Sequence, residues 1–123
     1  MFVAEPEAHE VGELWAEADS VICLALGYLE IRSAIARRLK AQPAARARAL
    51  LHDRWQEVET LVVDDRLIAI AGRIVDVHRL KTLDALHLAA ALDAGRPGLV
   101  FMSWDSELRR AAQIEGLAVT PTE

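Results

Sequence analysis

Leu83-Asp84-Ala85-Leu86-His87-Leu88-Ala89-Ala90-Ala91-Leu92 carries more information than any other segment of this chain. Only Asp84 and His87 interrupt it, so a helix built from it has no broad polar face, and such a helix is stable only when covered on most sides. It reads as a central, buried helix. Gly95, Pro97 and Gly98 break it. Leu99 to Met102 then reads as a strand, Ser106 to Ile114 as a helix and Leu117 to Val119 as a short last strand.

Upstream, Val21 to Leu24 is a short continuous apolar run suited to a strand buried on both faces. After Gly27 the residues Ile31, Ala34, Ile35 and Leu39 share one face at helical spacing over Leu29 to Lys40. Pro43 sits where a second helix can open, which gives a helical hairpin. Leu61, Val62 and Val63 read as another strand. Asp64 or Asp65 can cap the helix after it, with Leu67, Ile70, Ala71, Ile74 and Val77 on the buried side. His9 to Ala18, with Val11, Leu14 and Trp15, reads as a surface helix, and Ala4 to Pro6 as a helix end or loop. Strands alternating with helices predict an α/β domain with a mainly parallel sheet.

The chain has 123 residues, the size of one domain. Its hydrophobic fraction of 53% is high, but 27% charged residues and the absence of a long apolar run argue against a membrane span. The first ten residues show neither a basic region nor an apolar core of a secretory signal, which predicts cytoplasmic residence. One cysteine, Cys23, excludes an intrachain disulfide and a multi-cysteine zinc site. A net charge of -5 weighs against wholesale electrostatic attraction of nucleic acid. The distribution is uneven, however: between Arg32 and Arg54 lie Arg37, Arg38, Lys40, Arg46 and Arg48, with Asp53 as the single acid. Contact with phosphates or with an acidic partner is expected to be local to that stretch.

Three carboxylates stand out. Glu30 starts the helix after the first apolar strand and has no cation at i+3 or i+4. Asp84 opens the apolar helix with only His87 as a polar neighbour on its face. Asp105 follows a strand at a strand-to-helix turn. Each has a local explanation, as a first-turn acid or a helix cap. Together they can meet at the carboxyl-terminal edge of a parallel sheet, where their mutual repulsion would be relieved by a hard divalent cation, Mg²⁺ or Mn²⁺. A carboxylate-held Mg²⁺ can orient and acidify water and stabilise charge on a phosphodiester, which points to phosphodiester hydrolysis. Neither a P-loop nor a phosphoryl-accepting aspartate motif is present to favour other Mg²⁺ chemistry.

Gly27-Tyr28-Leu29-Glu30-Ile31-Arg32, Thr82-Leu83-Asp84-Ala85-Leu86-His87-Leu88-Ala89-Ala90-Ala91 and Met102-Ser103-Trp104-Asp105-Ser106-Glu107-Leu108 resemble, in order and spacing, three motifs of PIN-like nuclease domains of the VapC toxin type. The resemblance spans nearly the whole chain. It implies a single PIN-like domain over residues 1–123, a three-layer α/β/α sandwich with a mainly parallel sheet. It also implies Mg²⁺- or Mn²⁺-dependent endoribonuclease chemistry within a type II toxin-antitoxin system, a homodimer and inhibition by a cognate antitoxin. Glu30, Asp84 and Asp105 match the family's metal-site and catalytic acids, and Ser103 matches a small hydroxyl residue beside the last of them. Arg37, Arg38, His87 and Trp104 are candidate contacts to RNA or a partner. Solvated helix faces explain most such arginines, a packed helix explains most such histidines, and core packing explains most tryptophans.

The family pattern begins with a central strand ending in an Asp-Thr/Ser-Ser-Ala-like segment, ahead of a short helix that Phe2-Val3-Ala4-Glu5-Pro6 would match. Neither Glu5 nor Glu7 matches the aspartate of that strand. The expectation is therefore an N-terminally incomplete domain, with the central first strand absent, one metal-binding acid lost and activity impaired. A downstream start site, a decayed homologue and strand exchange each account for such a gap. The competing functional reading is a non-catalytic PIN-like module that dimerises or binds an antitoxin.

Overall fold

The structure is a computed structural model that describes residues 1–4 and 20–122. Strands β1 (Phe2–Val3), β2 (Val21–Leu24), β3 (Val58–Leu61), β4 (Val100–Met102) and β5 (Ala118–Thr120) are joined with helices α1 (Gly27–Arg38), α2 (Ala41–Trp55), α3 (Asp65–His78), α4 (Thr82–Ala94) and α5 (Ser106–Ile114). The sheet has the order β3-β2-β1-β4-β5, and every pairing is parallel. This is the expected α/β architecture. The surface helix expected over His9 to Ala18, with Trp15, lies outside the described residues.

The central slot, expected to be empty, is filled. Phe2 pairs with Ile22 on one side and Phe101 on the other, and Val3 pairs with Met102. The Ala4 N–H donates to the Met102 carbonyl at 2.9 Å and the Ile22 N–H to the Met1 carbonyl at 2.8 Å. The residues expected as a short helix or helix end are thus extended as far as Ala4. Two bare strand edges in mid-sheet would leave backbone donors and acceptors unmet, and the apolar pair Phe2-Val3 suits a slot buried on both faces. The slot is filled without its acid: Ala4, fully buried, stands at the carboxyl end of β1.

Strand β3 begins three residues before the expected Leu61, at Val58, and pairs along the whole of β2 from Val21↔Val58 to Leu24↔Leu61. It is the sheet's edge, so half-exposed Val58-Glu59-Thr60-Leu61 serves, while the β-branched Val62 is solvent-exposed. Asp64 caps α3, its carboxylate accepting from the Leu67 N–H at 2.8 Å. Leu67, Ala71 and Ile74 of α3 are buried as expected, but Val77 is exposed because the helix ends one residue later, at His78.

Side chains alternate across the strands. Phe2, Ala4, Ile22, Leu24, Phe101 and Val119 face one core with Leu67, Ala71 and Ile74 of α3, most of α4, and Leu108, Ala111 and Ala112 of α5. Val3, Val21, Cys23 and Met102 face the other side, where Trp55 at the end of α2 packs. The α1–α2 hairpin has its own core of Ile31, Ile35, Ala44 and Leu51. Helix α4 is the central helix: Ala85, Leu88, Ala89, Ala90 and Ala91 are all fully buried, and the alanines let neighbours approach closely. Its end at Gly95 is left-handed, with φ of 57°. Among the described residues no helix is long and apolar enough to cross a membrane.

Candidate active site

Parallel strands put all their carboxyl ends on one edge, and two of the three acids follow from that. Glu30 lies in the first turn of α1, after β2, and Asp105 is the N-cap of α5, after β4. Helix α4 brings the third to the same edge, because the Nε2 of His87 lies 2.5 Å from the Oε1 of Glu30. Asp84 is one helical turn before His87, so it stands beside this pair.

The three carboxylates have different surroundings. Glu30 is held by His87, and a carboxylate can only accept, so the His87 Nε2 carries the proton. Asp105 uses Oδ1 as a cap, accepting from the N–H groups of Glu107 at 2.8 Å and Leu108 at 3.2 Å, which leaves Oδ2 without a partner among the described residues. Asp84 is only 8% exposed and makes no hydrogen bond or ion pair among the described residues. A buried carboxylate without a partner is costly unless a cation or water meets it.

Beside Asp105, the Ser103 hydroxyl is fully buried and accepts from the Asp105 N–H at 3.0 Å, and the Ser103 carbonyl accepts from the guanidinium of buried Arg109 at 2.8 Å. Arg109 had no signal in the sequence beyond its place four residues after Asp105. Trp104 is half-buried and its indole N–H is buried without a hydrogen-bond partner among the described residues. His87 is fully buried, bonded to Glu30 and not to Asp84. Arg37 and Arg38 end the same helix that Glu30 starts, roughly 10 Å further along its axis. The Arg37 guanidinium donates back to the Ser33 carbonyl at 3.4 Å and does not join the acids.

A metal fit follows from these surroundings. Among the described residues no three His, Cys, Asp or Glu side chains gather closely enough to hold an ion directly. For Glu30 and Asp105 the reason is in the strand order: β1 separates β2 from β4, whose axes are therefore roughly 10 Å apart, and Ala4 contributes no side-chain oxygen between them. The donor chemistry nevertheless suits Mg²⁺, which binds through one or two carboxylates and keeps several waters. Asp84, largely buried and without a side-chain partner among the described residues, is the group such a hydrated ion would meet.

A five-stranded parallel sheet under helices, with acids at its carboxyl edge, defines a class of α/β protein, and comparison identifies the family. The PIN domain profile matches residues 1–114. Ribonuclease VapC49 of Mycobacterium tuberculosis (strain H37Rv) is 32% identical over 115 residues, covering 89% of this chain and 80% of the relative. Ribonuclease VapC46 of the same strain is 31% identical over 121 residues, covering 95% and 85%. The chain belongs to the PIN-domain family and is of the VapC type. Among solved structures, FitAB bound to the IR36 DNA fragment superposes with a TM-score of 0.66 at 17% identity, covering 97% of this chain and 93% of that one. FitAcB from Neisseria gonorrhoeae gives 0.60 at 18%, covering 98% and 97%. These two support the fold.

Proposed function

We propose that this chain is a Mg²⁺- or Mn²⁺-dependent endoribonuclease of a type II toxin-antitoxin system, acting in the cytoplasm. The observation that carries the reading is Asp84, largely buried and without a side-chain partner among the described residues, one helical turn from the histidine that holds Glu30, in a chain whose relatives are named ribonucleases. Glu30, Asp84 and Asp105 would hold the ion through a mixture of direct and water-bridged oxygens. When bound, the ion supplies an activated water and charge neutralisation at the scissile phosphate. The Ser103 hydroxyl accepts from the Asp105 N–H, so its own O–H remains to donate to an oxygen at the site. The Trp104 indole N–H is a second unspent donor on this edge. Exposed Arg32, Arg37, Arg38, Lys40 and Arg46 on the α1–α2 hairpin give RNA phosphates, or an acidic antitoxin segment, a positive surface.

Antitoxin binding and a homodimer belong to the same proposal. Ile68 and Val75 are exposed two turns apart on α3, with Gly72 open between them, which supplies a self-packing face. The test is incubation of the chain with a mixed tRNA and rRNA pool plus Mg²⁺ or Mn²⁺, with an Asp84→Asn control. Cation-dependent cleavage that the control lacks supports the enzyme. A folded chain that cleaves nothing, yet forms a stable complex with an antitoxin, would establish the second reading, a non-catalytic module. Ala4 in the central strand is the observation that favours it.

A further inference from the structure

His87 is the polar side chain that the proposed chemistry leaves unused. It is fully buried in the middle of an apolar helix, 57 positions from the residue it bonds. One ring nitrogen, Nε2, meets the Glu30 carboxylate at 2.5 Å, and the other, Nδ1, is buried without a partner among the described residues. Burying an imidazole this way costs free energy that an aliphatic side chain would not, and the single bond it makes goes to one of the three site acids. The ring is also fixed from the sheet. Phe2 of β1 meets it edge-on, with centroids 6.2 Å apart at 73°, and itself stacks on Phe101 at 5.6 Å. Glu30 is the more accessible partner, its side chain 24% exposed against 0% for His87.

We propose that His87 is a positioning residue for Glu30. Its Nε2–H occupies Oε1 and fixes the rotation of the carboxylate that would hold a cation at the carboxyl edge of the sheet. The inference rests on the metal-dependent reading above. Groups that orient a metal-binding carboxylate in this way typically change metal affinity by roughly 10–100-fold when removed. Phe2 and Phe101 extend the support to the central strands, so the aromatic pair holds the histidine that holds the acid.

The test is Mn²⁺ titration of the whole chain by calorimetry or electron paramagnetic resonance, with melting curves and RNA cleavage on the same samples. His87→Leu fills the space without a donor and is expected to weaken Mn²⁺ binding on the order of 10-fold or more. His87→Gln, which keeps an N–H donor, should recover most of that loss. In a Glu30→Ala background, His87→Leu should add nothing further, whereas a merely structural histidine would act equally in both backgrounds. Folded His87→Leu protein with Mn²⁺ affinity within about twofold of the parent would overturn the inference, as would a parent that binds no Mn²⁺. Cleavage separates the two readings. Histidine-dependent Mn²⁺ binding without cleavage sustains the inference and sinks the nuclease; cleavage with histidine-independent binding does the reverse.

Discussion

Asp105 has two roles on two oxygens, and two substitutions separate them. Its Oδ1 accepts from Glu107 and Leu108 N–H groups at the start of α5, and Oδ2 is the oxygen proposed for the cation. Asparagine caps a helix about as well as aspartate, so Asp105→Asn keeps the cap and loses only the favourable charge at the helix N-terminus, about 0.3–1 kcal/mol. Alanine removes the cap, at about 1 kcal/mol within a range of 0.5–2. For a domain of this size, 1 kcal/mol corresponds to about 4 °C in Tm. Asp105→Asn is therefore expected to melt near the parent and Asp105→Ala several degrees lower. Cleavage of the RNA pool should fall on the order of 100-fold or more in both, the scale of losing one preorganised charge at a reacting centre. Scanning calorimetry and initial cleavage rates on matched samples make the comparison. An Asp105→Asn protein that cleaves like the parent would refute the cation role, and an Asp105→Ala protein that melts like the parent would refute the cap.

Ala4→Asp places a carboxylate at the buried end of β1, and the variant is expected to melt lower than the parent without cation, to regain stability with Mn²⁺, and to bind Mn²⁺ more tightly; calorimetry with and without the ion checks this. Glu115 is held below its ordinary carboxylate pKa of 4.5, first by the Arg73 guanidinium and then by His78. A depressed carboxylate stabilises the fold above its unfolded pKa, and that contribution is lost as pH falls through the folded value. The Tm difference between the parent and Glu115→Gln should thus be full at pH 7 and vanish in acid below 4.5. Burial pushes the Cys23 thiol up to about 12, so it should resist a thiol reagent at pH 8 in the folded chain and react at once in denaturant. Gly72 is exposed within α3 and an added Cβ meets nothing within 4 Å. Gly72→Ala should raise the Tm of dilute monomer, by about 0.5–1 kcal/mol of stability, and weaken a dimer that packs across this face; light scattering over a concentration series reads the second effect.

The elements that the sequence made legible are those whose environment is uniform. Val21–Leu24 and Ser106–Ile114 were placed to the residue, the first because both its faces are buried and the second because Asp105 caps a strongly amphipathic turn. Helix α4 was legible because no exposed helix tolerates such a composition. Misreadings came where tertiary context overrides local pattern. Val62 looks like strand and is exposed, since an edge strand is chosen by pairing to β2 rather than by apolar content. Phe2-Val3, matched by the family resemblance to part of a short helix, is strand, since a slot between β2 and β4 demands paired backbone whatever its local preference. The Glu30–His87 bond joins residues 57 positions apart, and His87's spacing to Asp84 pointed to the nearer acid.

The strand order also explains why three well-placed acids form no closed metal site. Glu30 follows β2 on one side of β1 and is bonded by His87, while Asp105, Ser103 and Arg109 lie at the end of β4 on the other side. A bare Mg²⁺ joins oxygens about 4 Å apart across it, at roughly 2.1 Å each, whereas one interposed water on each side extends that reach to about 8 Å or more. With Ala4 in the strand between them, Glu30 and Asp105 would hold such an ion with the help of bridging waters. Binding of that kind would hold the ion weakly and would make each carboxylate's orientation matter more, because every bridging water must find an oxygen already aimed at it. The fixed geometry of Glu30 under His87, and of Asp105 under its helix cap, therefore contributes most in the arrangement where the central aspartate does not share the load.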